Sequence, residues 1–163
     1  MQNKMTEHTY INIMKESLDK KLRVLDDIIE ANREQEMILW ADETDYEKLD
    51  KTIEKKGACI DEIKGLDKGF QSLYDRVKQE LSGNKELFED DIREMQDKIR
   101  LITEKTMDIQ AQEARNKEAF QGKVHYSKKE IKTAKTANKV AASYYQNMNK
   151  LNVVDSQFLD TKK

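Results

Sequence analysis

No proline interrupts the 163 residues of this chain, where an average usage of about 5% would supply roughly eight. Proline removes a backbone N–H and clashes with the preceding turn, so its absence leaves nothing to force a break in a long helix. The apolar residues recur at the interval such helices need. Ile11, Met14, Leu18, Leu22 and Leu25, then Ile28 or Ile29 and later Leu39, step in threes and fours and make one stripe on one side of a helix. Lys15, Asp19, Asp26 and Arg33 are expected on the opposite face. Charged residues are 38% of the chain and the mean hydropathy is −0.94, too polar for a thick core yet too regular for disorder. Long amphipathic helices that bury a narrow stripe satisfy both conditions.

The first helix is expected over Thr6–Trp40, with a break at Ala41–Thr44 and a capping box formed by Thr44 and Glu47. A second stripe runs through Tyr46, Leu49, Ile53, Ile60, Ile63, Phe70, Leu73 or Tyr74, Val77 and Leu81. Gly57, Gly65 and Gly69 weaken its middle and predict a kink near Gly65–Gly69. Ser82-Gly83-Asn84 reads as a turn closed by a left-handed residue. The third stripe starts near Lys85 and continues, past Gly122, to Met148. At 1.5 Å per residue the helices measure about 50, 55 and 95 Å, so the third overshoots its neighbours by about 40 Å. The expected fold is all-α, an elongated antiparallel three-helix coiled-coil bundle with a long, overhanging C-terminal helix. Residues 1–112 would form the bundle, 113–148 an overhanging basic arm and 149–163 a flexible tail.

Charge follows the same division. Residues 1–120 carry 21 basic and 29 acidic side chains, whereas residues 121–163 carry 9 and 3, an asymmetry typical of an arm with its own partner. Catalytic signatures are missing. The two histidines, His8 and His125, have no serine or cysteine beside them in a triad motif, and Cys59 is the lone cysteine. No Glu-x-x-His pair suits a metal and no glycine cluster suits a phosphate, so neither enzyme nor cofactor is expected. Acid groups such as Asp26-Asp27, Asp61-Glu62 and Glu89-Asp90-Asp91 read as solvated faces laced by i,i+4 ion pairs. Nucleic-acid binding is not expected, because the lysines of 123–139 spread round the helix and residues 116–163 lack arginine. Membrane insertion is not expected either: no apolar run approaches the roughly 20 residues of a span. The opening MQNKMTEHTY lacks the apolar core of a secretory signal, which points to the cytoplasm.

What remains is protein recognition. Ile131, Ala134, Asn138, Ala141, Tyr144, Tyr145, Met148, Leu151, Val153 and Val154 form the expected partner-binding surface of the arm. Tyrosine and methionine are adaptable interface residues, and small residues around 134–142 would admit a partner helix. Trp40 and Cys59 are expected to pack locally.

The pattern resembles the FlgN family of flagellar export chaperones over residues 10–150. The resemblance is carried by Leu18, Leu22, Leu25 and Ile29, a short polar break, and the run Asp45-Tyr46-x-x-Leu49-x-x-x-Ile53-x-Lys55-Lys56. Ile60-x-x-Ile63-x-x-Leu66 and a long third helix containing Asn116 complete it. The stretch Val153–Asp160 falls outside the pattern. The resemblance implies a non-enzymatic chaperone of hook-associated proteins, expected to be FlgK and FlgL, delivered to the flagellar type III export machinery. It also implies that the client docks a helical C-terminal segment on the chaperone's C-terminal region, a helix-in-groove mode. Two alternatives stay open: a structural coiled coil that self-associates, for instance as a homodimer, and a FliT-type chaperone or adaptor with a different client.

Overall fold

The computed structural model describes residues 2–123, with side chains from His8 onward. Three helices account for nearly all of this span: α1 (Gln2–Trp40), α2 (Tyr46–Gly83) and α3 (Glu89–Lys123). The chain is all-α, as the spacing requires, and the described residues contain no strand. Side-chain pairs fix the directions. Lys15 meets Asp91, Lys98 meets Asp19 and Lys105 meets Asp26, so α1 and α3 run parallel. Lys21 meets Asp67 and Lys56 meets Asn32, so α2 runs antiparallel to α1. Both α2 and α3 pack closely on α1, while no Cα of α2 lies within 8 Å of one in α3. No described helix is long and apolar enough to cross a membrane.

Because α1 is shared by both neighbours, it buries the widest face. Ile11, Met14, Leu18, Lys21, Leu25, Ile28, Asn32, Gln35 and Leu39 are buried in alternating steps of three and four. A second column, Val24, Ala31 and Ile38, recurs every seven residues beside it. The α3 seam has the same rhythm through Met95, Ile99, Ile102, Thr106, Ile109, Glu113, Asn116 and Phe120. A strict seven-residue repeat keeps such seams facing one another by left-handed supercoiling. The seam departs from the apolar stripe at one informative place: Lys21 is 2% exposed, while Leu22 packs half-buried at its edge. Lys15, Asp19 and Asp26, expected to face away from the bundle, flank the seam and pair across it with α3.

The helix ends correct several sequence expectations. Asp45, not Thr44, caps α2: its carboxylate accepts from the Lys48 N–H at 3.1 Å. The Thr44 hydroxyl instead accepts from Lys123 Nζ at 2.9 Å. The turn after α2 contains no left-handed residue. Asn84 ends the helix with its backbone N–H and its side-chain amide, both donating to the Glu80 carbonyl. α3 starts at Glu89 rather than near Lys85, because Phe88 is fully buried in the connection and its carbonyl accepts the Ile92 N–H. Glu89, Asp90 and Asp91 then occupy the first turn, where carboxylates complement the helix dipole.

The middle of α2 is one uninterrupted helix through Gly57, Gly65 and Gly69. A Cβ built at any of the three would meet nothing within 4 Å, so no close packing demands glycine there. Gly65→Ala and Gly69→Ala should each raise stability by about 1 kcal/mol, the helix-propensity difference. Chemical denaturation of each variant checks this, and a loss of stability would show that α2 needs those glycines for another reason.

Candidate functional site

Ile131, Ala134, Asn138, Ala141, Tyr144, Tyr145, Met148, Leu151, Val153 and Val154 all lie outside the described residues. The described residues nearest to them in the chain form the end of the bundle. Packing of α3 does not stop at residue 112, the expected limit of the bundle. Glu113, Asn116 and Phe120 are buried, and Phe120 joins Ile38, Leu39 and Leu49 in a separate apolar cluster. Lys123, the last described residue, donates to the Ala41 carbonyl at 2.8 Å and to the Thr44 hydroxyl. Residues 113–123 therefore belong to the packed bundle, and Lys123 lies beside the α1–α2 connection.

Between this terminal cluster and the main core lies a polar layer contributed by all three helices. The Lys56 ammonium donates to Asn32 Oδ1 and Gln35 Oε1 at 2.9 Å each and to Glu113 Oε1 at 2.5 Å. Its three protons are thus matched by three acceptors. Asn116 donates to the Asn32 carbonyl, Asn32 donates to Gln112, and Gln112 donates to the Ile29 carbonyl. Burial holds the Lys56 amine below its ordinary value of 10.5, against the opposing pull of Glu113. Each helix lacks a large, fully buried apolar side chain at this level: α1 between Ile28 and Ile38, α2 between Leu49 and Cys59, α3 between Ile109 and Phe120. The three coincident gaps were the available sequence signal for the layer. Taken singly, the gap on α3 looks like the end of the bundle.

The outer surface near the exit is unusual in another way. Trp40 is 75% exposed and Met37 is 74% exposed, which corrects the expectation that Trp40 packs locally. Three residues apart on α1, they share one face. Residues 34–47 around them hold six acids and no lysine or arginine. Cys59, by contrast, is buried in the core, and burial first, then the Asp27 and Glu62 carboxylates, push its thiol up from 9.0. It stays protonated and unreactive at neutral pH. The paired acids also behave differently from expectation. Glu89 pairs i,i+4 with Arg93, but Asp26 and Asp91 reach across to Lys105 and Lys15.

A cleft of about 490 Å³ lies between α1 and α3, lined by residues including Asp26, Glu30, Arg33, Lys105, Asp108 and Arg115. Its charges alternate in sign, so it selects neither an anion nor a cation. Among the described residues no group of three His, Cys, Asp or Glu side chains is placed to hold a metal. The arrangement offers surfaces for another polypeptide and no converging reactive groups.

A family model described as FlgN protein matches residues 5–152. Comparison with curated proteins and with solved structures gives no match. The matched span takes in the polar layer, the exposed corner and most of the basic segment.

Removing one partner of a buried ion pair strands the other, at a cost of about 3–5 kcal/mol. Lys56→Met should therefore destabilise the protein by about that amount, and Lys56→Met/Glu113→Leu should recover a large part of it. Urea melts of both variants check the pair. A double variant as weak as the sum of its singles would show that the two residues act independently. The pH dependence has a definite sign. Since the folded pKa of Lys56 is depressed, its stabilising contribution is fully present above 10.5 and is lost as pH falls through the lowered value. The stability difference, wild type minus Lys56→Met, should rise as pH approaches 10.5. Lys15 shifts the other way: burial pulls it down, but the hydrogen bonds it donates to Asp91 and Glu94 outweigh that. It is common to both proteins and cancels in the difference.

Proposed function

The chain belongs to the FlgN family, a family of flagellar export chaperones, and from that membership we propose that its clients are hook-associated proteins of the FlgK and FlgL kind. In this reading the protein works in the cytoplasm, holds a client in an export-competent state and hands it to the flagellar type III export machinery. The observation that carries the reading is the family match, which extends through residue 152 and so includes the basic segment.

The client-binding surface is proposed to lie beyond Lys123 and to include Ile131, Tyr144, Tyr145 and Met148. Eight lysines against three acids in residues 124–163 favour encounter with an acidic client, since complementary charge raises association rates. Alanines and serine at 141–143 leave room for an amphipathic helix to approach closely, and the tyrosines supply contact area at low entropic cost. The bundle's part is to give that segment a fixed root.

Calorimetric titration of the full chain with peptides from the C-terminal helices of hook-associated proteins tests the reading. Wild type should bind. Tyr144→Asp/Tyr145→Asp should bind at least tenfold more weakly, about 1.4 kcal/mol, with an unchanged melting temperature. Undiminished affinity in the variant would move the site onto the bundle, and no binding by wild type would overturn the client assignment.

A further inference from the structure

The exposed pair Met37 and Trp40 is the least explained apolar surface of the described residues. Tryptophan side chains are rarely left in water at 75% exposure, and here a large thioether neighbour extends the patch along the same helix face. Single exposed apolar residues elsewhere, such as Leu101 or Met107, need no partner. The pair sits in an acidic frame: Glu34, Glu36, Asp42, Glu43, Asp45 and Glu47 surround it in sequence, and none is engaged in an ion pair among the described residues.

We propose that this corner is the docking site for the chain's own basic segment, residues 124–139. Three observations choose this occupant. The first is place: Lys123 Nζ lies 2.8 Å from the carbonyl of Ala41, the residue next to Trp40, so the segment begins at the corner. A reversal of about four to six residues, an ordinary connection length, suffices to bring it back over α1. The second is charge: residues 124–139 carry Lys128, Lys129, Lys132, Lys135 and Lys139 against the single acid Glu130, the complement of a frame with six acids. The third is composition: Val124, Tyr126 and Ile131 supply apolar surface to cover Met37 and Trp40. Tethering makes the contact intramolecular, with an effective concentration in the millimolar range for a short linker, so modest affinity is enough.

The proposal stands on the corner and the segment alone. On the client reading above, it adds that an acidic client competes with the corner for the same lysines. The experiment uses no client, so the two readings fail separately.

Trp40 is the chain's one tryptophan, and its fluorescence reports the corner directly. Acrylamide is the suitable quencher, being neutral and indifferent to the acidic frame. In the full chain at low salt, quenching of Trp40 should be several-fold weaker than for a free tryptophan derivative. It should rise several-fold in Lys128→Glu/Lys129→Glu/Lys132→Glu/Lys135→Glu, and in wild type at about 1 M salt, where screening acts within about 3 Å. Quenching in wild type equal to that of the charge-reversed variant overturns the proposal. Protection that grows with protein concentration also overturns it, assigning the corner to a second copy. Circular dichroism of the charge-reversed chain excludes unfolding as the cause of a gain in quenching.

Discussion

The ammonium of Lys56 is buried where three helices meet, and the fold is organised around satisfying it. A lysine taken out of water carries a desolvation penalty of several kcal/mol, which only well-placed acceptors offset. Here the acceptors come from both other helices: Asn32 and Gln35 of α1 and Glu113 of α3. Sliding any helix by one turn would break that set and leave a charge unpaired among apolar side chains. An apolar seam alone tolerates such slips, since one heptad resembles the next. The polar layer therefore selects a single register for the three long helices. The ion pair of Lys21 and Asp67 is less complete. One Asp67 oxygen has no partner, and burial pushes its carboxyl up from 3.8 against the pull of Lys21. That carboxyl fits its site best when protonated, so its contribution is fully present below 3.8 and is lost as pH rises through the raised value.

Register has a consequence at the end of the bundle. With Glu113 and Asn116 fixed against α1, the next turn of α3 places Phe120 on Ile38, Leu39 and Leu49. The turn after it places Lys123 on Ala41 and Thr44. The polar layer thus decides where Lys123 sits and what surface lies beside it. Thr44, expected as a helix cap, is committed to this same junction.

Much of the fold was legible because it is written in apolar spacing. The α1 stripe from Ile11 to Ile28, the break after Trp40 and the end of α2 at Gly83–Asn84 all follow from threes, fours and breakers, although the turn itself runs two residues later than expected, from Asn84 to Phe88. What spacing cannot show is a seam position held by a polar residue. Lys21, Asn32, Gln35, Lys56, Glu113 and Asn116 occupy core positions while reading as surface residues, because their burial depends on partners from distant parts of the chain. The same limit placed the end of the bundle at residue 112, where the α3 stripe thins into a layer that α1 and α2 complete. Trp40 failed in the opposite direction. Its residue type argues for burial, but its angular position on α1 falls outside both seams. The expected partner-binding residues, Ile131 to Val154, lie outside the described residues, and the corner beside their point of departure was not anticipated.

These features join in one physical argument about a chaperone in the FlgN family. If the segment beyond Lys123 binds the client, as proposed above, its eight lysines and its Tyr126, Tyr144, Tyr145 and Met148 are a liability without one, since they are attractive to any acidic or apolar surface. A rigid bundle can limit that liability only if it presents a complementary surface within reach of the segment's root. Reach is set by register, register by the polar layer, and complementarity by a stretch of fourteen residues, 34–47, that contains no basic side chain. On the docking proposed here, the acidic corner must also bind weakly, because a client would have to displace it. Exposed ion pairs give about 0–1 kcal/mol each and fade with salt, which suits a contact that is to be exchanged and not kept. The buried pair at Lys56 and the exposed frame at Trp40 are then two uses of charge in one molecule: the first, dry and fully matched, fixes the geometry, and the second, wet and screened, would on this proposal hold the segment only loosely enough for a client to take it.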